Sequence, residues 1–202
     1  VCGDYVGFFA LGDDRLGIAL GDVSGHGLGA ALPMIEVRSY LRALVGRVVD
    51  PAEILAAMND LLVHSPTPRF VTLMVGSLDE RSRVLRYASA GHQGYVMDKR
   101  GEIDLLSSTG LPLGCVRDVE YSNGMERMMH PGDVVLLPTD GIQETLSPHH
   151  DLFGTKRMLD VVHKNRSLPA ADIIAALHAA ALRFAQGAEQ QDDIAAVVVK
   201  FG

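Results

Sequence analysis

A chain of 202 residues with 48% hydrophobic content and a mean hydropathy of +0.16 is long enough to fill one sizeable core and needs no second domain. Its formal net charge of -7 and pI near 5.5, with no run of lysine or arginine, exclude nucleic acid and an anionic membrane surface as the main partner and suit the binding of cations. Cys2 and Cys115 are too few and too far apart for a disulfide framework, and no apolar stretch reaches the roughly 18 residues of a membrane span; with no signal-peptide pattern at the start, a reducing cytoplasmic setting is expected.

The opening "VCGDYVGFFAL" reads as a strand and lacks an initiator methionine, so upstream residues, up to whole regulatory domains, are expected in the full-length protein. "YVGFFALGDDRLGIALGDV" is two apolar segments joined by the turn "GDDR", a β-hairpin. Leu28 to Val45 carries apolar residues at helical spacing, and "DPAEILAAMNDLLVH" starts a second helix, with Asp50 as cap and Pro51 in the first position. From Phe70 to Leu106, short β-branched or aromatic runs alternate with turn residues, which predicts two or three strands in an antiparallel meander. "ERMMHPGDVVLLPTDGI" supplies another strand, ending at Thr139 or Asp140. Residues 152–164 and 169–186 read as helices, and "DDIAAVVVKF" closes the chain as a strand. Two strand-rich regions each border a helix pair, so the expected class is α+β, antiparallel sheets covered by helices, in a single domain over residues 1–202.

Acidic residues stand where these strands open into loops: Asp4, Asp22, Asp140, and the pair Asp192 and Asp193. Any one Asp beside a glycine is ordinarily a turn or cap residue. Carboxylates that converge repel one another unless a cation offsets them, and a set of oxygen donors without paired His or Cys favours Mg²⁺ or Mn²⁺ over Zn²⁺. A pair of such ions suits phosphate ester hydrolysis.

"GDY" with "FF" following, then "GDVSGHG", "SAGHQ", "GLPLG", "PGDVVLLPTDGIQE" and the closing "QDDIAAVVVK" resemble, in order and over nearly the whole chain, the SpoIIE/RsbU-like branch of the metal-dependent protein phosphatases, the PPM or protein phosphatase 2C-like superfamily. The resemblance implies a four-layer αββα sandwich, a centre of two Mn²⁺ or Mg²⁺ ions, and hydrolysis of phosphoserine or phosphothreonine on a protein by metal-activated water, with no covalent phosphoenzyme. It makes Asp22 the ligand that bridges both metals, the carbonyl of Val23 a ligand to one of them, and Asp140 and Asp192 further ligands. Asp193 stands where relatives often have asparagine and would orient a metal-bound water. Asp4 resembles the acidic residue near the second metal, as a ligand or as a group beside one. His26 could donate to the phosphate or to a metal-bound water, or be only a loop residue, and the proton for the leaving oxygen could come from His26 or from a metal-bound water. Substrates in this branch are phosphorylated anti-sigma-factor antagonists of STAS type, and the catalytic domain is often fused to receiver or other sensor domains.

Gly7 departs from the pattern: family members commonly have aspartate there, so the resemblance implies one acidic group fewer near the second metal, and the alternative function is a catalytically weakened sensor or scaffold with the same fold. Other residues invite plainer readings. Ser24 and His26 are only two apart and form no triad; His92 is read as a structural hydrogen-bonder; His149 and His150 as a solvated loop; Met125, Met128 and Met129 as packed in or near the core; and Arg38 and Arg42 as a solvated or salt-bridged helix face.

Overall fold

The computed structural model describes residues 3–12, 14–25, 27–65, 69–188, 190 and 192–202. In chain order the elements are β1 (Asp4–Ala10), β2 (Arg15–Val23), α1 (Leu28–Leu44), α2 (Pro51–Leu62), β3 (Val71–Asp79), β4 (Val84–Ala90), β5 (Gly94–Met97), β6 (Ile103–Leu106), β7 (Arg127–Met128), β8 (Val134–Pro138), α3 (Asp140–Gln143), α4 (Gly154–Asn165), α5 (Ala170–Ala185) and β9 (Ala196–Lys200). They form two compact units, Val1–Gln93 with Leu106–Met129, and Gly94–Leu105 with His130–Gly202.

The first unit is a five-stranded sheet in the order β1-β2-β3-β4-β7, every pair antiparallel. The hairpin turn closes with the Leu11 N–H donating to Arg15 O at 3.0 Å. Helix α2 starts as the sequence predicts: the Asp50 carboxylate accepts from the N–H groups of Ala52 and Glu53 at 2.9 and 3.1 Å, and Pro51 stands where no N–H is needed. Ala30, Val37 and Leu41 of α1 and Ile54, Leu55 and Met58 of α2 share a core with Tyr5, Ala19, Leu73, Val75 and Ala88 of the sheet.

In the second unit the sheet order is β6-β5-β8-β9, with β5–β8 and β8–β9 antiparallel. Its core gathers Met158 and Val162 of α4, Ile173 and Leu177 of α5, and Tyr95, Met97, Val134, Leu136 and Val198 of the strands. Phe153 meets Phe184 edge-on at 5.4 Å between ring centres. A helix pair and an antiparallel sheet in each unit is the expected α+β class.

Three expectations change. The meander after Phe70 holds four strands and is divided between the sheets, β3 and β4 in the first and β5 and β6 in the second. Asp192 and Asp193 lie in the loop ahead of β9, which begins only at Ala196. Of the three methionines, Met129 is 1% exposed and packed, whereas Met125 and Met128 are 78% and 60% exposed. Among the described residues no helix is long and apolar enough to cross a membrane.

Candidate functional site

In the first unit, the β1–β2 register pairs Asp4 with Asp22, and the β2–β3 register pairs Asp22 with Thr72. Register partners share a face of the sheet, so Asp4, Asp22 and Thr72 form one row across three strands. His92 flanks that row: its Nδ1 lies 3.3 Å from Thr72 Oγ1, its carbonyl accepts from Ser89 Oγ at 2.6 Å, and its own N–H donates to the same oxygen at 3.2 Å. At 6% exposure it is held as a structural hydrogen-bonder, as its sequence context suggests.

Oxygen donors gather at the end of β2. A Cβ placed on Gly3 would stand 2.9 Å from Asp22 Oδ1 and 3.0 Å from the Val23 carbonyl oxygen. Both oxygens, with Ala30 Cβ at 3.4 Å, therefore lie close against the Gly3 backbone, where only a glycine fits without a shift. The Val23 N–H, donating to Gly3 O at 3.2 Å, fixes the two segments against each other. Two like charges directly opposite on a sheet are unfavourable by themselves. A carboxylate pair and a neighbouring carbonyl are hard oxygen donors of the kind that fits Mg²⁺ or Mn²⁺. After Val23 the chain turns through Gly25 and Gly27, with φ of 93° and 71°, a region that glycine enters without steric cost. His26, between them, lies outside the described residues.

The second unit brings together Asp140, Asp192 and a residue not singled out from the sequence, Glu144. Thr139, fully buried, ends the β8 segment by donating from both its N–H and its hydroxyl to Ala195 O, at 2.9 and 3.1 Å, while Oγ1 accepts from the Ala195 N–H at 2.9 Å. This lock delivers Asp140 as the first residue of α3. A Cβ on Gly141 would collide with the Asp193 carbonyl oxygen, so the glycine of "TDG" is what lets the 192–193 loop lie against the start of α3. Asp192 Oδ1 accepts from the Asp193 N–H at 2.8 Å. Glu144 closes α3, donating its N–H to Asp140 O at 2.8 Å. Partial desolvation of this exposed side chain, then the charges of Asp140 and Asp192, push its carboxyl above the ordinary range. These residues were legible only in part, because the four-residue helix that places Glu144 is too short to show a period. Among the described residues, no three His, Cys, Asp or Glu side chains stand close enough to hold a metal ion.

Gly7 does not occupy the place its alignment with a family aspartate suggests. Residues three apart on a strand point to opposite faces. Gly7 pairs with the fully buried Ala19, and a Cβ there would run into the Tyr5 hydroxyl, on the side of the α1–α2 core and away from the Asp4–Asp22 row. Arg38 and Arg42 are exposed and line a groove beside β1. Burial raises the Tyr5 phenol, and the charges of Arg42 and Arg38 partly offset that rise. His149 and His150 are exposed in a loop.

Comparison with known proteins bears on the family and the fold of the chain. RsbU of Bacillus subtilis strain 168, named a phosphoserine phosphatase, is 28% identical over 70% of this chain and 43% of its own length. IcfG of Synechocystis is 27% identical over 98% of this chain and 36% of its own. The chain thus spans less than half the length of these relatives. Among solved structures, the SiaA-PP2C domain of Pseudomonas aeruginosa superposes with a TM-score of 0.87 at 26% identity, covering 100% of this chain and 82% of that one. Because the model of the family Stage II sporulation protein E (SpoIIE) matches residues 12–202, taking in both carboxylate groups from Asp22 onward, the chain belongs to the SpoIIE family.

Proposed function

We propose that this chain is a metal-dependent protein serine/threonine phosphatase whose two units act as one PPM-type catalytic domain. The observation that carries the reading is the pairing of Asp4 with Asp22 across the β1–β2 ladder, with Asp22 Oδ1 and the Val23 carbonyl both close against Gly3, in a chain of the SpoIIE family. Asp22, Val23 O and Asp4 of the first unit and Asp140 and Asp192 of the second are the residues that would hold two divalent cations, Mn²⁺ or Mg²⁺, with Asp22 as the ligand that both would share. When bound, the cations lower the pKa of water toward neutrality and neutralise charge on the phosphoryl oxygens. The protein's own part is positional. The β-ladder sets Asp4 opposite Asp22, the Thr139–Ala195 lock presents Asp140, and Gly141 admits the loop that carries Asp192. Asp193 would orient a metal-bound water, and either His26 or a metal-bound water would supply the proton to the departing serine or threonine oxygen.

The substrate class we infer is a phosphorylated signalling protein, of the kind represented by STAS-type anti-sigma-factor antagonists, acted on in the cytoplasm under the control of an upstream sensor or receiver domain. The family and the short span relative to RsbU and IcfG support this. A weakened sensor or scaffold drew its support from Gly7, and position 7 faces Tyr5. Turnover of a phosphoserine protein should exceed turnover of free nucleotides in Mn²⁺ buffer; equal or faster nucleotide hydrolysis would point to a general phosphoesterase.

A further inference from the structure

The geometry points to Arg69 as the residue that grips the phosphoryl group of the substrate, an inference that rests on the phosphatase reading above. Arg69 lies just ahead of β3 and its backbone is pinned from two directions. Phe70 O accepts the Ser24 N–H at 3.1 Å, and a Cβ on Gly114 would stand 2.9 Å from the Arg69 carbonyl oxygen. From there the side chain runs back over the "GDVSGHG" loop, and its Nη1 donates to Ser24 O. A Cβ at Gly25 would collide with Nη1, and one at Gly29 would stand 2.7 Å from Nη2. The guanidinium thus fills space that two absent side chains leave, on the residue next to Val23.

A half-buried guanidinium carries five N–H donors and a charge that the protein interior must offset. Among the described residues, Arg69 makes one hydrogen bond, to Ser24 O, and no ion pair, whereas Arg86 is paired with Glu126 at 2.6 Å. Its surroundings add positive character: α1 begins at Leu28 without a side-chain cap and without an acidic residue in its first turn, so the end of the helix dipole nearest Gly29 is not neutralised locally. A planar fork whose other donors no described residue takes up, beside such an end, matches an anion with several oxygens, and Arg is the side chain that holds phosphate bidentately. Consecutive Cα atoms are about 3.8 Å apart, so a phosphoryl group gripped next to Ser24 is within one residue of Val23 and two of Asp22. The anion placed there is the substrate's phosphoryl group, and after the reaction inorganic phosphate.

The test uses the full 202-residue chain in Mn²⁺, with Arg69→Ala and Arg69→Lys. Measured are KM and kcat on a phosphoserine peptide, competitive inhibition by inorganic phosphate, and Mn²⁺ affinity by calorimetry without substrate. Losing a charge-assisted bidentate contact should weaken KM and phosphate inhibition by about ten- to a hundredfold in Arg69→Ala, while Mn²⁺ affinity stays within about twofold of wild type because no metal ligand is lost. Arg69→Lys should recover part of the loss, since it keeps the charge and not the fork. Unchanged phosphate inhibition in Arg69→Ala overturns the assignment, as does a parallel loss of Mn²⁺ affinity, which would make Arg69 a brace for the loop. Should circular dichroism show Arg69→Ala unfolded, Arg69→Lys decides alone: wild-type phosphate inhibition in that variant overturns it too. A wild-type chain without turnover would instead refute the phosphatase reading, and this inference with it.

Discussion

Asp4 and Asp22 face each other directly across the β1–β2 ladder, each the register partner of the other. Facing like charges cost a sheet about 0.2–1 kcal/mol, so the pair has opposite consequences for stability and for activity. Asp22→Asn should remove the repulsion and leave the Tm of chelator-treated protein equal or slightly higher, while lowering turnover in Mn²⁺ by at least about 100-fold, the upper end of what loss of a merely orienting partner costs. Thermal unfolding and phosphate release on the same sample check both halves; a lower Tm would mark Asp22 as a structural residue.

Gly7→Asp is predicted to harm the fold without improving the site. The new side chain would meet the Tyr5 hydroxyl on the core side of β1. Overpacking against Tyr5 should cost about 1–3 kcal/mol. Urea unfolding measures the loss, and calorimetry should show Mn²⁺ affinity no higher than wild type.

Gly141→Ala probes the second carboxylate group. Its methyl would collide with the Asp193 carbonyl oxygen, which forces the 192–193 loop away from α3. A stability loss of about 1–3 kcal/mol is expected from the crowding, accompanied by reduced turnover because Asp192 moves with the loop. A variant that keeps wild-type Tm and turnover would show that this contact is not needed.

Glu144 gives the site a pH signature. Partial desolvation first, then Asp140 and Asp192, hold its folded carboxyl above the ordinary 4.5. The folded state then binds this proton more tightly than the unfolded chain, so the group's contribution to stability is greatest below 4.5 and is lost as pH rises through the folded value. In chelator-treated protein, Glu144→Gln should raise Tm at pH 7.5 and the difference from wild type should close near pH 4. An equal offset at both pH values would contradict the assignment.

Local signals carried much of this architecture. Asp50 and Pro51 announced α2, and the turn after Leu11 announced the first hairpin, because caps and turns act within a few residues. The strand periodicity between Phe70 and Leu106 was also legible, but the departure of β5 to another sheet depends on non-local pairing that no short window contains. The face of Gly7 was available from alternation alone, since positions 4 and 7 differ by an odd number, yet matching it to a family aspartate overrode that parity. Arg69 gave no signal: a lone cation ahead of a strand has no period, and its relation to Gly25 and Gly29 arises only when the β2–β3 ladder forms.

The most direct test of the account is phosphate release from a phosphoserine peptide as a function of Mn²⁺, on the same preparation before and after chelation. The account predicts turnover that rises with Mn²⁺ to saturation, vanishes with chelator and returns when Mn²⁺ or Mg²⁺ is restored. Turnover that survives complete removal of divalent cations would contradict it.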